Sequence, residues 1–384
     1  MKAVVFGAGM MGRAIAYDLA RTAGMDQVVL GDISLKAARD AARWAGGDSV
    51  SAAKVDAGSA ESVRGLLGRK FDVAVGAASF RFNELLAREA IRASTCFCDL
   101  GGNNSVVERE LSMDGIARAA GVAVVPDCGL APGMVQPVAA RALELVGGEA
   151  DELKIRVGGL PVHPKPPLNY KLVFSPEGLI NEYDEPAVAL REGRRVELEP
   201  LTEIEALDFP PPFGRLEAFV TSGGSSTLPW TMEGRVRELD YKTIRYPGHC
   251  AAMKGMLWLG LGGTAPVKAG GAMTVPRELL VELLRRKLTD NDQDVVLVRV
   301  TALKDGKGTR FQLVDYGEPG KGISAMMKTT AFPASAVAWM LASGRIEKRG
   351  ALPQERCVPP ADFIAQLERR GIWLSRTSIS GPGQ

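Results

Sequence analysis

The first 130 residues alternate short apolar runs with longer amphipathic segments. The first run is KAVVF (2–6), and an amphipathic segment with helical periodicity follows it at 10–23. Further apolar runs occur at 27–32, 49–57, 71–79, 95–102 and 122–129. Because buried strands that alternate with helices form right-handed βαβ units, this pattern predicts an α/β fold with a doubly wound parallel sheet of the Rossmann type.

The hydrophobic pattern changes after residue 134. Polar and apolar residues now alternate without regular helices between them, at 152–161, 194–207, 215–224 and 232–246. Residues 295–316 predict a β-hairpin with its turn at 305–308. These segments indicate a second α/β domain with a mixed or antiparallel sheet, which helices near 247–261 and 276–289 cover. The apolar stretch 323–344 predicts a further helix, and the tail 377–384 is expected to lack structure.

A chain of 384 residues exceeds what one hydrophobic core usually organises. The change of pattern therefore divides it into two domains, which we place at 1–130 and 131–322. The parallel half is expected to bind a nucleotide and the other half a substrate.

Composition narrows the possible partners. The chain has 47 Lys and Arg against 45 Asp and Glu, a net charge of +2, so it lacks the basic surface that nucleic acids require. No apolar run approaches the roughly 20 residues of a membrane-spanning helix, and the N-terminus does not resemble a signal peptide. We therefore expect a cytoplasmic protein. Five cysteines without CxxC spacing and only two histidines predict reduced thiols and no metal site.

The sequence GAGMMG near the N-terminus has the spacing of a nucleotide-binding glycine loop. Gly7, Gly9 and Gly12 follow the first predicted strand, and the next helix begins at Met10 and Met11. In such a loop the first glycine permits a tight turn, the second lets the backbone approach a pyrophosphate, and the third lets the helix pack on the strand. The alternative interpretation is a plain strand–helix turn.

Asp32 ends the second predicted strand, 20 residues after Gly12. An acid at this position accepts hydrogen bonds from ribose hydroxyls, and its charge repels the 2′-phosphate of NADP, so the predicted cofactor is NAD. Other strand ends at the same sheet edge supply the remaining candidate contacts: Asp56, Ala57, Ala77, Ala78, Ser79, Leu100, Gly101 and Gly102. These small residues equally suit ordinary βα loops.

Four longer motifs, taken with the glycine loop, resemble one enzyme family. They are VVPDCGLAPGM (124–134), KPPLNYKLVFSPEGLINEY (165–183), RLEAFVTSGGSSTLPWT (215–231) and LDYKTIRYPGH (239–249). Over nearly its whole length the chain resembles the saccharopine dehydrogenase-like superfamily, and within it the lysine 6-dehydrogenase branch.

The resemblance implies C-terminal helices, from about 323–384, that pack back on the Rossmann domain, and a homodimer or higher homo-oligomer formed through the second domain. The implied reaction is NAD-dependent oxidation of the terminal amine of L-lysine. Hydride leaves the carbon that bears the amine, and the imine is hydrolysed to 2-aminoadipate 6-semialdehyde and ammonia. Saccharopine reductases and carboxynorspermidine or homospermidine synthases, which join an amine to a carbonyl compound, belong to the same superfamily and stay open as the alternative. A non-catalytic NAD-binding protein is a third hypothesis.

Oxidation of an amine requires a base that deprotonates the ammonium and a second step that activates water on the imine. Asp127 follows the sixth predicted strand, and His249 opens a helix, where the dipole favours a neutral imidazole. Both are catalytic candidates. The alternatives are a carboxylate that caps the next helix and a histidine that only caps its own.

Arg245 ends a predicted strand and is the candidate that holds a substrate carboxylate, because a guanidinium binds a carboxylate through two hydrogen bonds. Asn169, Tyr170, Lys171 and Glu217 complete the predicted substrate contacts. The first three could equally anchor a loop, and Glu217 could lie on a solvated sheet face.

Overall fold

The computed structural model describes residues 1–46 and 49–380. The chain forms two compact units, each built from several segments. Unit 1 combines Met1–Glu144, Ser226–Thr231 and Met327–Leu374, and unit 2 combines Leu145–Ser225, Met232–Met326 and the residues from Ser375. Residues 131–144 and 226–231, which the sequence pattern assigned to the second domain, thus belong to unit 1, and the last strand belongs to unit 2.

Unit 1 begins with alternating strands and helices, as the hydrophobic pattern predicts. The strands are β1 (Lys2–Phe6), β2 (Gln27–Asp32), β3 (Val50–Lys54), β4 (Val73–Gly76), β5 (Cys96–Asp99) and β6 (Ala123–Val125). The helices are α1 (Met10–Leu19), α2 (Leu35–Ala45), α3 (Ala60–Leu67), α4 (Asn83–Arg92), α5 (Asn104–Leu111), α6 (Asp114–Ala119) and α7 (Val135–Leu145). Every residue of β4, β5 and β6 is buried, as expected for a parallel sheet covered on both faces.

Unit 2 consists mainly of strands. They are β7 (Ala150–Pro161), β8 (Ala187–Arg191), β9 (Arg194–Leu198), β10 (Glu205–Phe209), β11 (Gly214–Val220), β12 (Val236–Arg245), β13 (Val267–Ala269), β14 (Ala272–Thr274), β15 (Asp294–Lys304) and β16 (Lys307–Asp315). The helices of this stretch are α8 (Pro176–Asp184), α9 (Leu228–Thr231), α10 (His249–Met256) and α11 (Pro276–Leu288), of which α9 belongs to unit 1. The chain ends with α12 (Ala325–Ala342), β17 (Gly350–Ala351), α13 (Gln354–Cys357), α14 (Pro360–Arg369) and β18 (Ser375–Ser380).

The two sheets have different topologies. Within the described residues, seven strands form the sheet of unit 1 in the order β17-β6-β5-β4-β1-β2-β3, and all of them run parallel. Their carboxyl ends therefore meet at one edge, where ligands of such sheets bind. The sheet of unit 2 has the order β10-β11-β12-β7-β15-β16-β18, with β8 paired to β12 and β9 paired to β8. Only β12 and β7 pair in parallel there, so this sheet is mixed, as predicted.

Side chains on β11 and β12 alternate between two packed faces. Leu216 and Ile244 pack with Leu297 on one face. Phe219 packs on the other face with apolar residues of α8, α10 and α11. Because successive side chains of a strand point to opposite faces, Arg245, which follows Ile244, points to the face that the helices cover.

Two predictions about strand ends have opposite outcomes. The hairpin is confirmed: β15 and β16 are joined at Asp305 and Gly306, whose φ values of 51° and 71° fit a type I′ turn. The prediction of an unstructured tail is wrong for residues 377–380, because β18 pairs with β16. The side chains of this strand are mostly exposed, so no apolar alternation marked it. Residues 381–384 lie outside the described residues.

Candidate functional site

The glycine loop of unit 1 packs tightly at two positions and is open at the third. A Cβ atom on Gly7 would lie 2.6 Å from the carbonyl oxygen of Ala77, and one on Gly12 would lie 1.8 Å from the oxygen of Gly7. At Gly9, which is exposed, a Cβ atom would meet nothing within 4 Å in the described part of the chain. Gly9 is also the N-cap of α1, and no described side chain caps this helix. The N–H groups of its first turn are therefore available to a pyrophosphate.

Asp32 holds the glycine loop from the end of β2. Its Oδ2 accepts a hydrogen bond from the backbone N of Ala8 at 2.9 Å, and its Oδ1 accepts one from the backbone N of Ser34 at 2.9 Å. These bonds place a carboxylate beside the loop, where a dinucleotide has its ribose diol. The contact between Asp32 and the ribose stays a prediction.

The other predicted cofactor contacts follow strand ends at the carboxyl edge of the sheet. Ala77 and Ala78 come directly after β4 and lie against Gly7. Asp56 turns the chain after β3, where its Oδ1 accepts from the backbone N of Gly58 at 2.9 Å. The remaining predicted residues lie in the first turn of α1 or in the loops after β3, β4 and β5: Met10, Met11, Ala57, Ser79, Leu100, Gly101 and Gly102. This edge fits a nicotinamide dinucleotide, and the individual contacts stay predictions.

Three carboxyl groups lie buried beside the ends of β5 and β6. Asp99 Oδ1 accepts hydrogen bonds from the backbone N of Gly101 at 2.6 Å and of Asp127 at 3.4 Å. Burial, followed by the charge of Asp99, raises the pKa of Glu110 far above its ordinary value, and both oxygens of its carboxyl group are buried without a hydrogen-bond partner among the described residues. Glu110 is therefore the acid of this group that keeps its proton at neutral pH.

Asp127 is the third of these acids. Burial, followed by the charge of Asp99, raises its pKa to about 7. The hydroxyl of Ser226 donates to Oδ2, whereas Oδ1 is buried without a hydrogen-bond partner among the described residues. A Cβ atom on Gly101 would lie 1.7 Å from this Oδ1, so only glycine leaves room for the carboxylate. The backbone φ of Asp127 is 61°, a left-handed conformation that aspartate tolerates and most side chains do not. Its carboxylate therefore binds Ser226 and does not cap α7.

Ser226 reaches Asp127 because the segment around α9 belongs to unit 1. Thr227 and Thr231 of the same segment donate to Oε1 of Glu355, at 2.7 and 2.6 Å. These bonds fix the segment within unit 1. The motif that contains Ser226 carried the family resemblance, but no spacing or periodicity in it indicated a contact with an acid 99 residues earlier.

Arg245 lies at the centre of a buried polar network in unit 2. We call it the Arg245 cluster, and its members are Tyr170, Glu182, Tyr183, Arg245 and His249. Arg245 is 3% exposed; its Nε donates to the Tyr183 hydroxyl oxygen at 3.0 Å and its Nη1 to the carbonyl of Ile244 at 2.9 Å. His249 Nδ1 lies 3.0 Å from the carbonyl of Leu168, and its Nε2 lies 3.0 Å from the Tyr183 hydroxyl. Because a carbonyl only accepts, Nδ1 carries the proton and Nε2 accepts from Tyr183.

This network keeps His249 neutral. Burial, and then the charge of Arg245, lowers the pKa of the imidazole to about 3. Both ring nitrogens are engaged, so the geometry favours a positioning role that orients Tyr183. The catalytic role of His249 stays a prediction. Gly248, with a φ of 94°, is the N-cap of α10 and turns the chain from β12 into the helix.

Two members of the Arg245 cluster have polar groups without partners. Tyr170 is 4% exposed, its hydroxyl makes no hydrogen bond with the described residues, and its ring centre lies 4.6 Å from the Arg245 guanidinium carbon. Glu182 is partly buried and, within the same part of the chain, accepts no hydrogen bond. Burial raises the pKa of Glu182 to about 7, and the charge of Arg245 opposes this shift. The sequence predicted no role for Glu182 or for Tyr183.

The carboxylate of Glu217 is engaged in hydrogen bonds with the backbone. It lies opposite Arg245 in the pairing of β11 with β12. Its two oxygens accept hydrogen bonds from the backbone N of Gly248 at 2.9 Å and of Cys250 at 2.8 Å. Glu217 therefore caps the start of α10 and does not lie on a solvated face. Its predicted contact with substrate stays a prediction.

Asn169 and Lys171 flank Tyr170 and belong to a loop. Lys171 pairs with Asp290 at 3.3 Å, and Asn169 adopts a left-handed backbone conformation with a φ of 48°. Of the predicted catalytic and substrate-binding residues in unit 2, the structure thus brings Tyr170, Arg245 and His249 into one cluster. Asn169 and Lys171 have positions that suit loop anchors, and their substrate contacts stay predictions.

Three further observations concern metals, thiols and membranes. Among the described residues, no three His, Cys, Asp or Glu side chains are grouped as metal ligands would be. The five cysteines are buried and form no disulfide. In the described ranges, 1–46 and 49–380, no helix combines the length and apolarity that crossing a bilayer would need.

Comparison with known proteins gives two family matches and several similar structures. Residues 3–125 match the family model of the saccharopine dehydrogenase NADP binding domain, and residues 129–372 match that of the saccharopine dehydrogenase C-terminal domain. The structure of a saccharopine dehydrogenase (L-Glu forming) from Saccharomyces cerevisiae is 19% identical, covers 99% of this chain and 100% of that chain, and has a TM-score of 0.81. A homospermidine synthase from Legionella pneumophila, solved with NAD, is 11% identical in sequence. The match covers 98% of this chain and 91% of that chain, with a TM-score of 0.64. At these identities the similar structures support the fold.

Proposed function

Since the chain belongs to the saccharopine dehydrogenase family, we propose that it is an NAD-dependent dehydrogenase that acts on a primary amine of an amino acid. The substrate that we propose is L-lysine, which is oxidised at its terminal amine. The products are 2-aminoadipate 6-semialdehyde, ammonium, NADH and one proton, and the aldehyde oxygen comes from water.

The unpaired cation of the Arg245 cluster carries this proposal. A buried guanidinium is stable only with compensating charge or hydrogen bonds, and Arg245 has neutral partners, the Tyr183 hydroxyl and the Ile244 carbonyl. The Tyr170 hydroxyl beside it also lacks an acceptor among the described residues. A substrate carboxylate would supply an acceptor and a negative charge to both groups. This arrangement favours an amino acid over a plain diamine.

Asp127 is the base in this proposal. Its pKa of about 7 lets it exist in both protonation states near neutral pH, as a group that takes up and releases protons must. Ser226 holds Oδ2, and the unpartnered Oδ1 is the atom that receives a proton from the substrate ammonium. That proton is released to solvent. After oxidation, the same atom takes a proton from the water that attacks the iminium carbon and passes it to the departing nitrogen, which leaves as ammonium.

The glycine loop, the start of α1 and Asp32 would hold the cofactor. Gly9 has no Cβ to block the pyrophosphate, and the first turn of α1 has N–H groups to bind it. When bound, the nicotinamide ring accepts the hydride from the carbon that bears the amine. The Asp32 carboxylate beside the loop favours a free ribose diol over a 2′-phosphate, which is the reason for proposing NAD.

The test combines NAD with L-lysine, other amino acids and diamines and records NADH absorbance and released ammonia. Equal amounts of both, dependent on lysine, would support the proposal. Oxidation of NADH only in the presence of an amine and a carbonyl compound would instead support a saccharopine, carboxynorspermidine or homospermidine type of reaction. NAD binding without any turnover would support a non-catalytic protein.

The matched variant for this test is Asp127→Asn. It keeps the size of the side chain and removes the base, so turnover should fall on the order of 100-fold or more. Binding of lysine and NAD, measured by calorimetry, should persist. Turnover close to that of the unmodified protein would contradict the role of Asp127.

A further inference from the structure

Glu182 is a carboxylate next to a buried cation that it does not neutralise. It precedes Tyr183 on α8, and its backbone oxygen accepts from the N of Ser222 at 3.0 Å. Asn181, on its other side, is held by the Arg277 guanidinium. The helix is therefore anchored on both sides of Glu182, and the carboxyl group of Glu182 lies within the range of the Arg245 charge.

Glu182 and Arg245 nevertheless form no ion pair. Among the described residues Arg245 binds the Tyr183 hydroxyl and the Ile244 carbonyl through Nε and Nη1, and its Nη2 has no partner. Glu182 accepts no hydrogen bond there, and no contact shorter than 4.0 Å joins it to a cation. Within the described residues, the cation and the carboxyl group thus each lack an ion-pair partner, although the charge of each acts on the other.

Opposite charges held apart in this way complement a molecule that carries the same two charges on neighbouring atoms. An α-amino acid has its carboxylate and its ammonium on one carbon. The carboxylate would bind Nη2 of Arg245 and the hydroxyl of Tyr170, which is buried and without an acceptor in the described structure. The ammonium would then face Glu182.

We propose that Glu182 binds the α-ammonium group of the amino-acid substrate. This inference rests on the proposed function and makes it more specific, because it assigns the Arg245 cluster to the zwitterionic end of the substrate. The reacting amine is therefore the other one, at the end of the side chain. The cluster would reject molecules that lack either charge, since one of its own charges would then stay buried and unpaired.

Three compounds test the contributions of the α-ammonium and the carboxylate separately. L-Lysine carries both, 6-aminohexanoate lacks the α-ammonium, and 1,5-diaminopentane lacks the carboxylate, whereas all three keep a terminal amine. The unmodified protein should have a kcat/KM for lysine about 30-fold or more above that for 6-aminohexanoate, the effect expected when one partner of a buried charge pair is missing. Equal values would overturn the inference without any variant.

Glu182→Gln should remove this discrimination. KM for lysine should rise on the order of 30-fold, and that for 6-aminohexanoate should stay within about 2-fold. The matched control is Glu177→Gln on the same helix, because the Glu177 side chain is 53% exposed and its ion-pair partner among the described residues is the equally exposed Arg285. This control should leave both constants unchanged. A kcat loss of equal size for all three substrates in Glu182→Gln would overturn the inference and place Glu182 at the reacting amine.

Calorimetric titration of the three compounds measures binding without turnover, so it tests the inference independently of the proposed function. If no amine gives NADH, the proposed function fails, but lysine binding that Glu182→Gln weakens selectively would still support the recognition of an α-ammonium group. Failure of the unmodified protein to bind lysine, or equal binding by Glu182→Gln, would overturn the inference. Melting temperatures near that of the unmodified protein establish that each variant is folded.

Discussion

Replacing Tyr183 by phenylalanine removes one oxygen atom and two hydrogen bonds from the Arg245 cluster. Nε of Arg245 loses its acceptor and Nε2 of His249 loses its donor, each of them 3.0 Å from the Tyr183 hydroxyl. A buried group left without a partner costs about 1–3 kcal/mol, and more if it is charged, so the local free energy of unfolding should fall by about 4 kcal/mol. The fall should be largest where β12 meets α10.

Two other tyrosines provide matched controls in the same unit. The Tyr246 hydroxyl donates one hydrogen bond, to the carbonyl of Pro161 at 3.1 Å, so Tyr246→Phe should cost about 1 kcal/mol. The Tyr170 hydroxyl has no partner among the described residues, so Tyr170→Phe should cost nothing measurable. Tyr170→Phe should instead raise KM for a substrate that carries a carboxylate. The three Tyr→Phe variants thus remove the same hydroxyl oxygen from three different environments.

Hydrogen exchange of the amides in β12 and α10 measures the local free energy of opening for each variant. This measurement does not require a chain of two units to unfold in one step. The expected order of losses is Tyr183→Phe, then Tyr246→Phe, then Tyr170→Phe. Equal losses for Tyr170→Phe and Tyr183→Phe would refute the assigned network, because the Tyr170 hydroxyl would then have a partner as strong as those of Tyr183.

The remaining predictions concern unit 1. Asp32→Ala should weaken NAD binding and relax the preference against NADP in fluorescence titrations, and unchanged selectivity would contradict the ribose contact. Ser226→Ala removes the hydrogen bond that lowers the pKa of Asp127, so that pKa should rise and the acid limb of kcat/KM should move to higher pH, whereas Ser226→Thr should leave it in place. Glu110→Gln keeps a neutral donor, so its melting temperature and pH profile should match those of the unmodified protein; a large loss of stability would mean that Glu110 is ionised.

The parallel sheet of unit 1 was predictable because its signals are local. Each buried strand is a short apolar run, and the three glycines of the loop stand at a fixed spacing within six residues. The contact of Ser226 with Asp127 joins residues 99 positions apart and depends on a short segment that leaves unit 2 for unit 1. Strand and helix periodicity do not show that the chain returns to unit 1 at this segment, so the predicted boundaries kept it with the second domain.

The Arg245 cluster was predictable only in part, for a related reason. Arg245 and His249 stand at a strand end and a helix start, and both positions are visible in the sequence around Gly248. Tyr183 and Glu182 lie about 60 residues earlier, on a helix whose periodicity shows an apolar face but not which polar side chains at its border point inward. Their place in the cluster depends on how α8 packs, which the hydrophobic periodicity of this helix does not show.

The two polar clusters deal with buried charge in different ways. In unit 1, Glu110 holds a proton, whereas burial raises the pKa of Asp99 to about 6 and that of Asp127 to about 7, so these two acids can change charge near neutral pH. In unit 2, Arg245 cannot lose its proton, and the imidazole beside it stays neutral instead. Apolar residues of similar size would make such an interior at least as stable. A fold that keeps an unpaired cation there is therefore expected to use it, and an anionic group of a ligand is what such a cation binds.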